Sequence, residues 1–421
     1  MAHKHPNSYL WGNTMKRKLF LKGLFISPFV LKKEWLKSDS VPKPRKGKTL
    51  SNQIYFNWGT MGLMPKRVIN AIKEELDFIE DTKAYGHTKE KVEVQLAKLV
   101  NADLKQVVML KNATEGACIA SSIIPLDKGD EVLISTHEHV GGCANWINMV
   151  EQSGAKLKTF ELAKTQVETL DNYKKSITAK TKVVAFPHIP CTTGLVLPIE
   201  AMASFAKSKG IAVCIDGAHT LGMIKVDMKS IDCDFYYGCL HKWMRAPLGT
   251  GWMYCSTEAL AKYKSNMVGA YGIDTYDLKG NPSIKIDELD ARKFAYGTYS
   301  TALRVGVLAA FEEYEKHGAE WIENRVVGLS QYFHQELNNL KYPINLLIDP
   351  SNTKISGITG FVLMKDGENS SQDFIKANNS SFRLRFLSEA GLDAIRVSLH
   401  YTNTKEEIDL LIKAIDDYYK S

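Results

Sequence analysis

An aspartate and a lysine each stand just past an apolar run: Asp216 follows Ile211-Ala-Val-Cys-Ile215 and opens Asp216-Gly-Ala-His219, and Lys242 sits in His241-Lys-Trp243 beyond Phe235–Tyr237. In an open parallel sheet ligands collect at the carboxyl ends of the strands, so polar residues at such places are the first candidates for chemistry. A carboxylate that keeps a pyridine nitrogen protonated lets the ring draw electrons from a substrate's α-carbon. A lysine amine that binds the cofactor's aldehyde as an imine is later free to carry a proton to or from that carbon. Alone, neither residue is diagnostic, because a strand-end Asp commonly caps a turn and a Lys is commonly a solvated side chain. Together they point to pyridoxal chemistry on a small substrate carrying an amino group and a carboxylate.

Two further stretches could serve the same site. Asn112-Ala-Thr-Glu-Gly116 follows the run Val107–Leu110 and opens an apolar helix. Free N–H groups at Ala113 and Thr114, with the Thr114 hydroxyl, would suit a phosphate, although an ordinary N-cap is the commoner use of such a sequence. His139, in Thr136-His-Glu-His-Val-Gly-Gly-Cys-Ala-Asn-Trp146, also lies just after a strand-like run. An imidazole there could cover one face of an aromatic cofactor or simply hydrogen-bond its own loop.

The elements that must position these residues are legible as patterns. After Pro65, Val68, Ile69, Ile72, Leu76 and Ile79 recur at helical spacing, and Val92, Leu96 and Leu99 repeat the pattern after Thr88, the expected N-cap. From Gln106 onward short apolar runs alternate with helical segments: Val107–Leu110, Val132–Ser135, Leu157–Phe160, Val183–Phe186, Ala212–Ile215 and Phe235–Tyr237. Such runs read as buried parallel strands. The stretch from Val183 through a helix near Ile199–Lys209, with Gly210 as its cap, to Ile211–Ile215 reads as a β-α-β crossover. Beyond Thr301 the chain turns more helical, with a strand-like Gly360–Met364 and a last helix opened by the capping box Thr404-Lys-Glu-Glu407. The expected fold class is α/β, with a doubly wound, mainly parallel large domain over 51–300, a smaller α+β domain over 301–421, and a basic extension over 1–50.

That extension carries most of the charge. The 421-residue chain has a net charge of +7, but residues 1–50 hold twelve Lys and Arg against Glu34 and Asp39, a surplus of ten, which leaves the other 371 residues at −3. A nucleic-acid footprint needs clustered basic residues within the folded body, so no nucleic-acid partner is expected. Leu19 to Leu31 is broken by Lys22 and Pro28 and falls short of the ~20 apolar residues of a membrane span. The run Met15–Lys22 loosely resembles a twin-arginine export signal lacking its second Arg, and no clear cleavage site follows. Residues 37–48, with Pro42, Pro44 and five Lys or Arg, read as a linker. Seven cysteines without a CxxC pair argue against a disulfide framework or zinc site and for a reducing, cytoplasmic setting.

From Tyr55 to the C-terminus the motifs, in their order, resemble the class V aminotransferase group of fold-type I pyridoxal-phosphate enzymes, which includes cysteine desulfurases, isopenicillin N epimerase and related lyases. The resemblance implies pyridoxal 5′-phosphate as cofactor and a homodimer with sites at the subunit interface. It implies that Lys242 forms the imine, Asp216 pairs with the pyridine nitrogen, Ala218 packs on the ring and His219 approaches its hydroxyl side. His139 takes the ring-stacking position, Thr114 and His241 bind phosphate, and Gly297 and Thr298, in Phe294-Ala-Tyr-Gly-Thr298, reach the neighbouring subunit's phosphate. Arg396, in Ile395-Arg-Val-Ser-Leu-His-Tyr-Thr-Asn-Thr404, grips the substrate carboxylate as a planar two-pronged donor. Departures are Cys239, where many relatives have a phosphate-binding Ser, and Cys191, where desulfurases usually have Asn. No cysteine follows Cys255, whereas a desulfurase needs a mobile thiolate in its C-terminal half, so that activity is disfavoured. The segment His241-Lys-Trp-Met-Arg-Ala-Pro-Leu-Gly-Thr-Gly-Trp252 is closer to the isopenicillin N epimerase branch. The expected activity is chemistry at the α-carbon of an amino acid, as a transaminase or C–S lyase; epimerisation and a non-catalytic scaffold are the other readings.

Overall fold

The computed structural model describes residues 3–4, 52–86 and 91–421. The basic stretch, its export-signal-like run, the linker and Thr88 lie outside the described residues.

A seven-stranded sheet holds the large part together: β1 (Val107–Leu110), β2 (Glu131–Ser135), β3 (Lys156–Phe160), β4 (Thr181–Pro187), β5 (Ala212–Asp216), β6 (Phe235–Cys239) and β7 (Gly251–Cys255), in the order β1-β7-β6-β5-β4-β2-β3. All six expected strands are present. β7, which the pattern did not anticipate, returns antiparallel beside β6 and pairs antiparallel with β1, so the other six strands point one way. The helices are α1 (Lys66–Thr82), α2 (Lys91–Leu99), α3 (Ala113–Ile123), α4 (Val140–Ser153), α5 (Gln166–Ser176), α6 (Ile199–Lys207), α7 (Thr257–Lys262), α8 (Thr301–Glu315), α9 (Ala319–Asn339), α10 (Ser371–Asn378) and α11 (Lys405–Lys420).

Successive strand residues face opposite sides, and both sides are dry. Val184, Phe186, Val213 and Ile215 enter one apolar cluster, while Val183, Ala185, Ala212 and Cys214 enter the other. This double burial is why the strands read as continuous apolar runs. A third cluster sits under a smaller antiparallel sheet whose main path is β8 (Ile344–Leu346), β9 (Ile358–Lys365), β10 (Arg385–Leu387) and β11 (Ala394–Ser398), in the order β8-β9-β11-β10, with the short strand Glu368–Asn369 also pairing with β9. There Phe361, Leu363, Ile395 and Val397 meet Leu329 and Phe333 of α9, Ile408, Leu411 and Ile415 of α11, and Phe56 from near the start of the described chain. Both bonds of the Thr404–Glu407 capping box form at the start of α11. No helix among the described residues is long and apolar enough to cross a membrane.

The two sheets meet through glycines that leave no room for a side chain. A Cβ on Gly194, whose φ is +78°, would fall 2.0 Å from the Ile358 carbonyl oxygen, and one on Gly360 would fall 2.2 Å from that of Thr192. Gly194→Ala is therefore expected to lower the unfolding free energy by roughly 2 kcal/mol or more, since a left-handed backbone and a backbone clash add. Urea titration would show a reduced midpoint, and a midpoint equal to wild type would mean that the loop has slack.

Candidate functional site

A cavity of about 300 Å³ opens at the carboxyl ends of β1, β2, β4, β5 and β6, walled on the far side by the smaller sheet. It draws together Ala113, Thr114, His139, Asp216, Ala218, His219, His241, Lys242 and Arg396 from segments spread over nearly 300 residues. A wider groove of about 860 Å³ lies along α1 and α8, but there Arg67 pairs with Glu312 and none of the candidate residues lines it.

Each wall has a local cause. Asp216 ends β5, and the turn behind it crosses the Tyr236 ring so closely that a Cβ on Gly217 would lie 2.1 Å from a ring carbon. Asp216 Oδ1 accepts from the Ala218 N–H at 2.8 Å, while Oδ2 has no hydrogen-bond partner among the described residues. Burial raises the Asp216 pKa, opposed by the Ala218 N–H and by Lys242. Beneath it, the turn is propped by a buried relay in which Tyr236 donates to Thr220 Oγ1 at 2.9 Å and Thr220 donates to the Gly217 carbonyl at 2.7 Å.

Lys242 lies in the loop after β6. The Gly62 N–H donates to the His241 carbonyl at 2.8 Å, and a Cβ on Gly62 would stand 1.9 Å from the Lys242 carbonyl oxygen, so glycine there sets how close the two segments come. Lys242 Nζ is 3.2 Å from His219 Nε2, and the Trp243 indole N–H donates to His219 Nδ1 at 3.2 Å. His241 Nδ1 donates to the Thr250 carbonyl at 3.2 Å, so Nε2 of the neutral ring is an acceptor and turns donor towards an anion only when the ring is protonated.

Near the start of α3, Asn112 caps the helix by accepting from Glu115 N at 2.8 Å, so the N-cap reading of that stretch holds, and Ala113 and Thr114 line the cavity. Gly251 of β7 admits this loop, since a Cβ there would come within 2.6 Å of Asn112 Cα. His139 caps α4, its Nδ1 accepting from Gly141 N at 3.0 Å, which puts the ring proton on Nε2. Burial and then Lys242 push its pKa down to about 4, so the ring is neutral at pH 7.

Arg396 is fully buried on β11. Its Nη1 donates to the Cys191 carbonyl at 3.2 Å, and its Nη2 donates to Asn57 Oδ1 at 2.9 Å and Thr60 Oγ1 at 2.7 Å. Nε has no partner. Arg385 lies opposite Arg396 across the β10–β11 register, also faces the cavity and pairs with Glu389.

Sequence reading missed Arg385, His137, Glu138 and the Asn57–Thr60 segment. His137 lines the cavity with Nδ1 2.9 Å from Thr192 Oγ1. Glu138 is half-buried and accepts from the Ser135 hydroxyl at 2.6 Å; desolvation of its carboxyl, with Asp216 adding, pushes its pKa to about 8, so at neutral pH it does not repel the Asp216 carboxylate. Its signal was in the motif that carries His139, one residue earlier. Gly297 and Thr298 do not enter the cavity of their own chain; Tyr296, just before them, donates to Glu115 Oε1 at 2.9 Å.

Residues 62–411 match the model of the family described as Aminotransferase class-V. A probable cysteine desulfurase of Borreliella burgdorferi is 26% identical over 398 residues, spanning 87% of this chain and 92% of that one. Isopenicillin N epimerase of Streptomyces clavuligerus is 25% identical over 335 residues, spanning 76% and 82%. Two solved forms of C-DES, a mutant with glycine covalently linked to its PLP cofactor and a cystine C–S lyase complex with its product cysteine persulfide, superpose with TM-scores of 0.79 and 0.78 at 23% and 24% identity. They cover 87% of this chain and 97% and 98% of theirs. The shared fold is the expected fold-type I α/β architecture.

The depressed His139 pKa has a signed consequence. Its neutral form contributes stability in full above the unfolded value near 6.5, and that contribution is lost as pH falls towards about 4. Between those limits wild type should lose more stability than His139→Asn, measured as urea midpoints. Parallel curves for the two proteins would mean that the imidazole is not held neutral.

Proposed function

Because the chain belongs to the class V aminotransferase family, and is thus an enzyme of pyridoxal 5′-phosphate, we propose that it acts at the α-carbon of a small sulfur-containing amino acid as a C–S lyase. The observation that carries this reading is the convergence of Lys242 Nζ, the unpartnered Asp216 Oδ2 and the buried Arg396 guanidinium on one cavity.

The residues fit the cofactor. Asp216 Oδ2 offers an open carboxylate oxygen for a protonated ring nitrogen, and the start of α3 offers N–H groups and a hydroxyl for a phosphate. Bound through its aldehyde to an amine, the cofactor supplies an electron sink for the α-carbon. Arg396, which faces the cavity and has one Nη1 hydrogen unused, holds the substrate carboxylate. Lys242 Nζ takes the Cα proton. Asp216 keeps the ring nitrogen protonated, His139 covers one ring face, Ala218 packs on the ring and His219 stands by its hydroxyl. Ala113, Thr114 and His241 bind the phosphate, joined by Gly297 and Thr298 from a second copy in a homodimer. Val140 and Leu248, exposed beside the His139 and Lys242 loops, support such a contact.

Elimination is preferred for a physical reason. Several relatives carry names of sulfur chemistry, among them a probable cysteine desulfurase and a cystine C–S lyase, but direct sulfur capture needs an accessible thiolate. Cys191 and Cys239, the thiols that line the cavity, are buried, and burial pushes both pKa values up. Sulfur would then leave as a small thiol. Seven free cysteines suit a reducing, cytoplasmic setting.

Assaying a panel of L-amino acids and disulfides for pyruvate, new keto acids and inverted enantiomer tests the reading. Pyruvate with released thiol is expected; keto acid paired with a new amino acid would mean transamination, and D-enantiomer would mean epimerisation. Alanine with sulfur left on the chain would mean desulfuration. Lys242→Ala should abolish turnover and the borohydride-sensitive visible band. Arg396→Ala should keep the band while kcat/KM for carboxylate substrates falls by roughly two orders of magnitude, mostly through KM; loss of the band would reassign Arg396.

A further inference from the structure

Lys293 is a buried basic residue that has no part in the cavity of its own chain. Its Nζ donates to the Leu260 and Tyr263 carbonyls at 2.7 Å each and to the Glu288 carbonyl at 3.0 Å, and it lies 3.2 Å from the Glu288 carboxylate. Leu260 and Tyr263 stand at the end of α7, where helix carbonyls lack partners of their own. A buried polar anchor of this kind adds little stability over a well-packed apolar side chain; what it fixes is geometry. Here one nitrogen ties the segment Ala291–Phe294 to α7, which follows directly on β7 of the large sheet.

Three residues on, Tyr296 is fastened to a different element. Its hydroxyl accepts from Lys111 Nζ at 2.5 Å and donates to Glu115 Oε1 at 2.9 Å, while Glu115 Oε2 accepts the Lys111 N–H at 2.6 Å. Glu115 belongs to the first turn of α3, beside the Ala113 and Thr114 that line the cavity. The backbone at both anchors is closely packed: a Cβ on Gly272 would fall 2.9 Å from the Lys293 carbonyl oxygen, and one on Gly269 would fall 1.8 Å from that of Tyr296. Gly297 and Thr298 come next and stay outside their own cavity; Thr298 is exposed, and a Cβ on Gly297 would meet nothing within 4 Å. Two residues open to the outside are thus held by two side-chain anchors placed directly before them.

We propose that Lys293 and Tyr296 are positioning residues that hold Gly297 and Thr298 where they complete the phosphate site of a second copy. The inference rests on that pair reaching a partner's cofactor in a homodimer. Neither anchor touches the cofactor; each acts through the backbone of the pair.

The test compares two ligands that differ in the phosphate. Full-length chain freed of cofactor is titrated with pyridoxal 5′-phosphate and with pyridoxal, followed by the visible band, and the ratio of the two dissociation constants measures how well the phosphate is held. Lys293→Met is expected to lower that ratio about tenfold, the size of one charge-assisted hydrogen bond lost; a defect of folding alone would weaken both ligands alike. Co-expression with a differently tagged Lys242→Ala copy gives a heterodimer in which the one cavity that keeps its lysine belongs to the Lys293→Met copy and receives Gly297 and Thr298 from the other. There the wild-type ratio should return. An unchanged ratio in Lys293→Met overturns the proposal, and so does a deficit that persists in the heterodimer. Should Lys293→Met fail to fold, Tyr296→Phe, which removes only a hydroxyl, decides by the same two measurements. Thr298→Asp sets a carboxylate against the phosphate and should also lower the ratio. If it leaves the ratio at the wild-type value, or if the chain sediments as a monomer, the pair does not serve a partner's phosphate; a lowered ratio in Thr298→Asp beside an unchanged one in Lys293→Met removes only the anchors.

Discussion

The fully buried guanidinium of Arg396 is the constraint around which the site is built. Taking a charge out of water costs several kcal/mol unless its donors are met. Here most of them are met from two places far apart in sequence: Asn57 and Thr60 near the start of the described chain, and the Cys191 carbonyl in the loop after β4. The segment from Asn57 to Thr60 must therefore cross the cavity, and the small sheet must press against the end of the large one. Gly59 makes the crossing possible, since a Cβ there would sit 3.1 Å from the guanidinium carbon. One group thus fixes the relation of three segments and still keeps a free Nε–H.

Around it, protonation states are set before any ligand arrives. Burial leaves the His139 and His219 rings neutral, and hydrogen bonds from Gly141 N and Trp243 Nε1 choose the tautomer of each. Glu138 holds its proton at neutral pH, which spares Asp216 a like charge. Fixed dipoles in a dry cavity do not have to reorganise when charge moves, and that is where such sites gain most. The same dryness leaves Cys191 and Cys239 poor nucleophiles.

Alternation along strands explains which residues could be read in one dimension. Asp216, His139 and Thr114 follow apolar runs directly, so local pattern placed them at strand ends, and the six parallel strands were legible for the same reason. β7 was not, because a run that follows a glycine-rich loop carries no mark of its direction. Arg396 was known only through resemblance; its orientation comes from β11, where Ile395 and Val397 turn into the apolar cluster and Arg396 takes the other face.

The sequence by itself determined the fold class and the family and singled out the lysine and aspartate proposed for the chemistry, because those depend on residue type and short-range spacing. Only the tertiary structure decided that Arg385 stands opposite Arg396, that His137 and Glu138 share the cavity and that Trp243 reaches His219. Those relations arise from sheet register and side-chain approach between distant segments, and no local pattern encodes a distance across a core.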